Sequence, residues 1–175
     1  MNLDQVILVD ENDAEIGVMD KIEAHRGKGK LHRASSVFLF NKNGELLLQQ
    51  RSSKKIVGAL QWANTCCGNV RPGESYEECA VRRLREELGI TNVVLDPVHK
   101  FIYQVQCNKA FSEYEMDTVF VGKYDGEVKP NPEEVANFKW IAWEEFIGML
   151  NDKNPMLVPW NQIMNEKGIL KYVKS

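Results

Sequence analysis

The sequence predicts an α+β sandwich. Short apolar runs bounded by turn residues fill the first fifty positions and recur between 93 and 141. One strongly helical segment lies in the middle, and two more close the chain. At 175 residues the chain has the size of one domain, expected over 1–175. Hydrophobic residues at 43% and charged residues at 27% exclude disorder and low complexity. Lys and Arg total 22 against 25 Asp and Glu, a net charge of −3 that gives no general attraction to nucleic acid or anionic membrane, so neither is expected as a partner. No apolar run is long enough to span a bilayer, and MNLDQVILVDEND lacks the pattern of a signal peptide. A cytoplasmic location follows as the expectation, with free thiols at Cys66, Cys67, Cys79 and Cys107.

Val6–Val9 and Ile16–Met19 flank the acidic turn Asp10–Asp13 and read as a hairpin. Residues 20–33 are polar, carry Gly27 and Gly29, and read as a loop. Ala34–Phe40 and Glu45–Gln50 are strands around Asn41-Lys42-Asn43-Gly44, where Asn-Gly is a strong hairpin signal. Residues 51–74, with Gly58, Gly68 and Gly73, read as mostly loop. Ser75 and Glu78 form a capping box, Cys79, Ala80, Leu84 and Leu88 make the apolar stripe of a helix, and Gly89 ends it. Strands follow at Val93–Gln106, Glu115–Tyr124 and Phe138–Ile141. Trp143–Asn151 and Pro159–Tyr172 read as helices.

The central helix carries the most informative spacing. Gly68 is followed after five residues by Glu74, and after seven more by Arg82-Arg83-Leu84-Arg85-Glu86-Glu87-Leu88-Gly89-Ile90. This closely resembles the Nudix box, a loop–helix–loop whose carboxylates share one helical face and hold Mg²⁺ against a diphosphate. Taken alone, Glu86-Glu87 fits a charged, solvated helix face better than a metal site; the full spaced pattern reverses that weighting. One position departs: the box has Glu where this chain has Arg83, which replaces a metal ligand by a cation suited to phosphate. Arg83 and Glu87, four apart, are also placed to pair with each other.

From Val6 to Val158-Pro159-Trp160 the chain resembles the type I isopentenyl-diphosphate Δ-isomerases, Nudix-fold enzymes that are not hydrolases. His25, Leu31-His32-Arg33, Leu46-Leu47-Leu48-Gln49-Gln50-Arg51, Asn64-Thr65-Cys66-Cys67-Gly68, Arg83, Glu113 and Glu115 carry the resemblance. It implies a Nudix-type α/β/α sandwich with a mixed sheet. It also implies a metal site for Mn²⁺ or Zn²⁺ formed by His25, His32, Glu113 and Glu115, with Asn69 where the family has a third histidine. Asn offers an amide oxygen, a harder and weaker ligand than imidazole. Glu113 and Glu115, two apart on a strand, share a face. His99 lies in a different strand context and is not assigned to the site.

The resemblance further places Lys21, Arg51, Lys55 and Arg83 against a small-molecule diphosphate, with Mg²⁺ bridging it to Glu87. Cys67 and Glu115 match the acid/base pair of an allylic double-bond shift, Tyr103 assists Glu115, and Trp160 covers the reacting carbon. An indole face stabilises a desolvated cation by about 2 kcal/mol or more. The expected activity is interconversion of isopentenyl and dimethylallyl diphosphate in isoprenoid biosynthesis. A Nudix hydrolase of a nucleoside diphosphate derivative is the alternative, and a non-catalytic diphosphate binder a third. Monomer and homodimer are both left open.

Overall fold

The computed structural model describes residues 4–174; residues 1–3 and 175 of the expected 1–175 unit lie outside the described residues. Strands β1 (Gln5–Val9) and β2 (Glu15–Asp20) form the expected antiparallel hairpin. In its turn, Asp10 Oδ1 accepts from the backbone N–H groups of Asn12 and Ala14, and Asp13 takes a left-handed φ of 64°. The Asp13 side chain then accepts from Arg33 Nε at 2.7 Å, Tyr76 Oη at 2.8 Å and Lys100 Nζ at 2.6 Å. One turn residue thereby ties the hairpin to three later segments.

Residues 20–33 are not all loop. Asp20 accepts from the N–H groups of Ile22 and Glu23 and caps a short helix, α1 (Lys21–His25), which buries Ala24 and His25. An Asp followed by Glu at the third helical position is a capping signal, but a single turn of helix leaves no periodicity to detect.

The organising strand is β3 (His32–Phe40), seven of whose residues after Arg33 are buried without a break. It runs parallel to β8 (Ser112–Lys123) from His32↔Glu115 to Phe40↔Lys123. Its other edge pairs antiparallel with β6 (Cys66–Asn69), from Ala34↔Asn69 to Val37↔Cys66. A strand between two neighbours, with both faces covered, reads as continuous apolar sequence. Among the described residues the long strand β7 (Leu95–Gln106) pairs only with β8, and Pro97 sits at an irregularity in that ladder. An edge strand tolerates a residue with no N–H to donate.

β4 (Leu46–Arg51) leaves β3 through the Asn41–Gly44 turn and pairs with β9 (Val135–Ile141) and the short β5 (Trp62–Ala63). Strands β5 and β6 therefore lie within the segment expected to be mostly loop. Gly68 and Asn69 are poor strand formers, and their strand conformation comes from pairing with β3.

Helix α2 (Tyr76–Leu88) has the complete capping box at Ser75 and Glu78 and ends at Gly89, φ 65°. Its buried stripe packs with Val37, Leu39, Leu47 and Phe120 on one side of the sheet. On the other side, Phe38, Leu46 and Leu48 pack with Phe146 and Leu150 of α3 (Trp143–Asn151) and Trp160 and Met164 of α4 (Pro159–Glu166). The segment expected as one helix over 159–172 is broken: Gly168 takes φ 67°, and a 3₁₀ turn, Ile169–Tyr172, follows. The expected sandwich and mixed sheet are present. Among the described residues, no helix is long and apolar enough to cross a membrane. Cys66, Cys67, Cys79 and Cys107 are free.

Leu84 is fully buried between α2 and the sheet. Leu84→Ala is expected to lower unfolding free energy by about 2–5 kcal/mol, read from urea denaturation at neutral pH.

Candidate active site

The register of β3 collects the polar side chains. Along a strand alternate residues share a face, and in-register partners lie on the same face. His32, Ala34 and Ser36 therefore stand beside Glu115 and Asp117 of β8 and beside Asn69 and Cys67 of β6. Tyr103 of β7 pairs with Glu115, and Val105 with Glu113. His25 is delivered to the same place by α1.

Four of the expected residues converge closely: one ligand atom from each of His25, His32, Glu113 and Glu115 lies within 4.8 Å of the others, and all four are buried. His25 Nδ1 lies 2.6 Å from the Lys21 carbonyl and His32 Nδ1 2.7 Å from the Lys30 carbonyl. Each Nδ1 is placed to donate to a backbone carbonyl, and both Nε2 atoms turn towards the carboxylates, the arrangement that orients ligating histidines. His25 Nε2 is 3.0 Å from Glu113 Oε2, and His32 Nε2 is 3.6 Å from Glu115 Oε1. This two-imidazole, two-carboxylate set fits a divalent metal ion. Burial lowers the His25 pKa, but the hydrogen bond and charge of Glu113 outweigh it and leave it raised. Glu113 is held correspondingly low.

Asn69 joins this group from β6, with its amide nitrogen 3.1 Å from His32 Nε2 and 2.9 Å from Glu115 Oε1. A half-turn of the amide would present Oδ1 there instead. The fifth donor is thus an amide in contact with two of the four. His99 is elsewhere, stacked on Tyr172 with ring centroids 4.4 Å apart.

His25, Asn69, Glu113 and Glu115 open onto a cavity of about 350 Å³ that is also lined by Lys21, Arg51, Lys55, Cys67, Arg83, Tyr103 and Trp160. All the expected substrate-facing side chains except Glu87 reach it. Glu87 lies beneath, buried, with Oε1 on Arg83 Nη2 and 3.3 Å from Lys55 Nζ, and Oε2 2.7 Å from Gln49 Nε2. Arg83 and Glu87 pair, as their spacing allowed. Burial pushes the Glu87 pKa up, but the charges of Lys55 and Arg83 and the Gln49 hydrogen bond hold it down at about 2. Burial, helped by the charges of Arg83 and Lys55, lowers the pKa of Lys21. Gly68 leaves room for Arg83: a Cβ there would collide with Arg83 Cγ. Arg51 lies over the face of Trp160, its guanidinium carbon 5.1 Å from the ring centroid, and donates to the Val57 carbonyl.

Burial, then the charge of Asp117, pushes the Cys67 thiol up to about 12. It is a protonated thiol at neutral pH, 3.2 Å from Asn64 Oδ1 and 3.4 Å from Ser36 Oγ. Ser36 is 2.7 Å from Asp117 Oδ2, and burial with the nearby Glu115 raises the Asp117 pKa. Tyr103 donates its phenol to Glu115 Oε2 at 2.5 Å. Sequence reading missed Ser36, Asp117 and Glu134. Asp117 had a signal, two residues beyond Glu115 on the same face. Glu134, in a loop before β9, had none.

The sheet, the α2 loop–helix–loop and the carboxylates beneath a cation-lined cavity are those of a Nudix protein. The chain belongs to this family: the NUDIX domain matches residues 30–161. Within it, the chain belongs with the isopentenyl-diphosphate Δ-isomerases. It is 49% identical to isopentenyl-diphosphate Δ-isomerase 1 of Aromatoleum aromaticum, over 80% of this chain and 79% of the relative. It is 39% identical to the isopentenyl-diphosphate Δ-isomerase of Pectobacterium atrosepticum, over 93% and 90%. A structure from Deinococcus radiodurans superposes with TM-score 0.70 over 85% of this chain and 89% of that one, at 23% identity, a likeness of fold.

Two expectations follow. Glu87 has a folded pKa below its ordinary 4.5, so its stabilisation is present above pH 4.5 and lost as pH falls towards 2. The loss is on the order of 3 kcal/mol, and urea midpoints between pH 2 and 6 will fall less steeply in Glu87→Gln. Replacing the amide of Asn69 by imidazole adds a softer ligand. Asn69→His is expected to raise Zn²⁺ affinity by at least about tenfold relative to Mn²⁺, read by chelator competition.

Proposed function

We propose that this protein interconverts isopentenyl and dimethylallyl diphosphate, serving isoprenoid biosynthesis in the cytoplasm as one domain over 1–175. The observation that carries the reading is the cavity itself. The proton-bearing thiol of Cys67, the Tyr103–Glu115 pair and the Trp160 indole line one chamber with Lys21, Lys55 and Arg83. A diphosphate hydrolase needs neither the thiol nor the indole, and Arg83 is paired to Glu87 where the hydrolase pattern has a carboxylate.

The cations receive the diphosphate, Arg83 through a fork and Lys21 and Lys55 as point charges. This leaves the apolar end of the substrate near Cys67, Glu115 and Trp160. One member of the Cys67/Glu115 pair delivers a proton to the terminal alkene carbon. The other takes a proton from the carbon on the far side of the resulting tertiary cation, and the reverse reaction exchanges the roles. Tyr103 holds Glu115 Oε2 by its hydrogen bond, and Asn64 and Ser36 hold the Cys67 sulfur. The Trp160 face opposes the cation, and Val57, Phe111 and the indole keep water from it. When bound, Mn²⁺ or Zn²⁺ at His25, His32, Asn69, Glu113 and Glu115 would supply fixed positive charge beside the acid/base pair, and Mg²⁺ at Glu87 would neutralise the diphosphate.

The test is a ¹H NMR assay with isopentenyl diphosphate in D₂O, with Mg²⁺ plus Mn²⁺ or Zn²⁺. Deuterated dimethylallyl diphosphate is expected. Cys67→Ala should lower kcat about 10²–10⁴-fold and leave binding of inorganic diphosphate in place. Unchanged substrate under every metal overturns the isomerase reading, and release of phosphate from nucleoside diphosphate derivatives would then favour the hydrolase.

A further inference from the structure

Glu134 is the acidic residue that sequence reading passed over, and its position in the cavity wall is specific. Its backbone is fixed on both sides: Glu134 N–H donates to the Asn131 carbonyl at 2.9 Å, and its carbonyl accepts from Ser52 N–H at 3.0 Å. Its Oε2 contacts Lys55 Nζ and lies 3.1 Å from Arg83 Nη2. Lys55 is therefore shared between two carboxylates, Glu134 in the cavity wall and Glu87 beneath, and Arg83 among three, these two and Glu86 of its own helix. Its neighbour Glu133 faces outward and pairs with exposed Lys54.

A diphosphate that takes its contacts from Lys55 and Arg83 must compete with Glu134. The carboxylates it displaces then face phosphate oxygens of the same sign at short range and partly out of water, where such repulsion is stronger than at an open surface. A divalent cation arriving with the diphosphate removes the conflict, because it gives both the carboxylates and the phosphate a shared counter-charge.

We infer that Glu134 couples diphosphate binding to a divalent cation: it occupies the phosphate-binding cations in the free protein and makes the metal-free anion a poor ligand. The coupling rests on the diphosphate reading proposed above. It makes Glu134 a specificity-determining residue, selecting the metal–diphosphate complex over the free anion. Glu87 cannot do this alone, because its Oε2 is committed to Gln49 and it lies beneath the cations rather than beside them.

The experiment is calorimetric titration of the full chain with inorganic diphosphate, in EDTA and in Mg²⁺, for the natural protein, Glu134→Gln and Glu133→Gln. Glu133→Gln removes the same charge from the surface and controls for net charge. The natural protein should bind diphosphate at least about tenfold more tightly with Mg²⁺ than without. Glu134→Gln should bind metal-free diphosphate about tenfold more tightly than the natural protein, with a correspondingly smaller gain from Mg²⁺. Glu133→Gln should match the natural protein. Glu134→Asp, whose shorter side chain draws the carboxylate back, should fall between and serves if the glutamine variant does not fold. Metal-free affinity that is unchanged or weaker in the folded variants, with Mg²⁺-supported binding intact, overturns the coupling alone. An equal gain in Glu133→Gln overturns it as well, in favour of net charge. Failure of every protein to bind diphosphate with Mg²⁺ overturns the diphosphate reading and the coupling with it.

Discussion

Strand β3 is hydrogen-bonded along both edges, parallel to β8 and antiparallel to β6, and the site depends on that register. The side-chain period of a strand is two, so a slip of one residue would turn His32 and Ser36 to the opposite face and put Arg33 and Ser35 in their place. The slip is blocked from both sides. Phe38 must meet the α3/α4 layer, and Val37 and Leu39 must meet α2. The same packing that fixes the core thereby brings histidine, carboxylate, amide and thiol to one face. The polar residues themselves contribute little to choosing this arrangement, because burying them costs free energy unless every partner is in place.

Two networks supply most of those partners, while Glu113 Oε2 and Asp117 Oδ1 are buried without a hydrogen bond. In the first, backbone carbonyls anchor both histidines, so the carboxylates of β8 meet imidazoles delivered by α1 and β3. In the second, α2 and the loop before β9 supply carboxylates to Lys55 and Arg83. Gly68 lies between the two networks. Its missing side chain lets Arg83 lie across β6, next to Cys67 and Asn69. A glycine whose φ is not left-handed is needed here for close approach rather than for backbone freedom.

The departures from the parent patterns are of different physical kinds. Arg83 changes the sign of a charge, and its consequence is a cation held over a buried carboxylate. Asn69 keeps the site polar and neutral but exchanges an imidazole for an amide, so it alters what the site holds rather than whether the fold forms. Cys67 is kept as a neutral thiol by burial and by the acidic neighbours behind it. It thus holds a proton at a pH where an exposed carboxyl would have lost its own.

Local order was legible in the sequence. The capping box and apolar stripe of α2, the Asn-Gly turn, and the alternation that puts Glu113 and Glu115 on one face are all short-range properties of neighbouring residues. The family resemblance named polar side chains that line the cavity, among them Lys21, Lys55, Cys67, Arg83 and Tyr103. The chain did not by itself disclose α1, which is too short for a period. It did not disclose β6, whose glycine and asparagine extend only because β3 offers a ladder. Nor did it disclose the break at Gly168, or the place of Ser36, Asp117 and Glu134 beside Cys67 and the phosphate cations. Those depend on contacts between residues as far apart as 55 and 134. Such contacts are set by strand order and packing, not by any spacing along the chain. Sequence determined which groups were present and which local elements would carry them, and only the tertiary structure decided which groups share a wall of the cavity and which charges meet there.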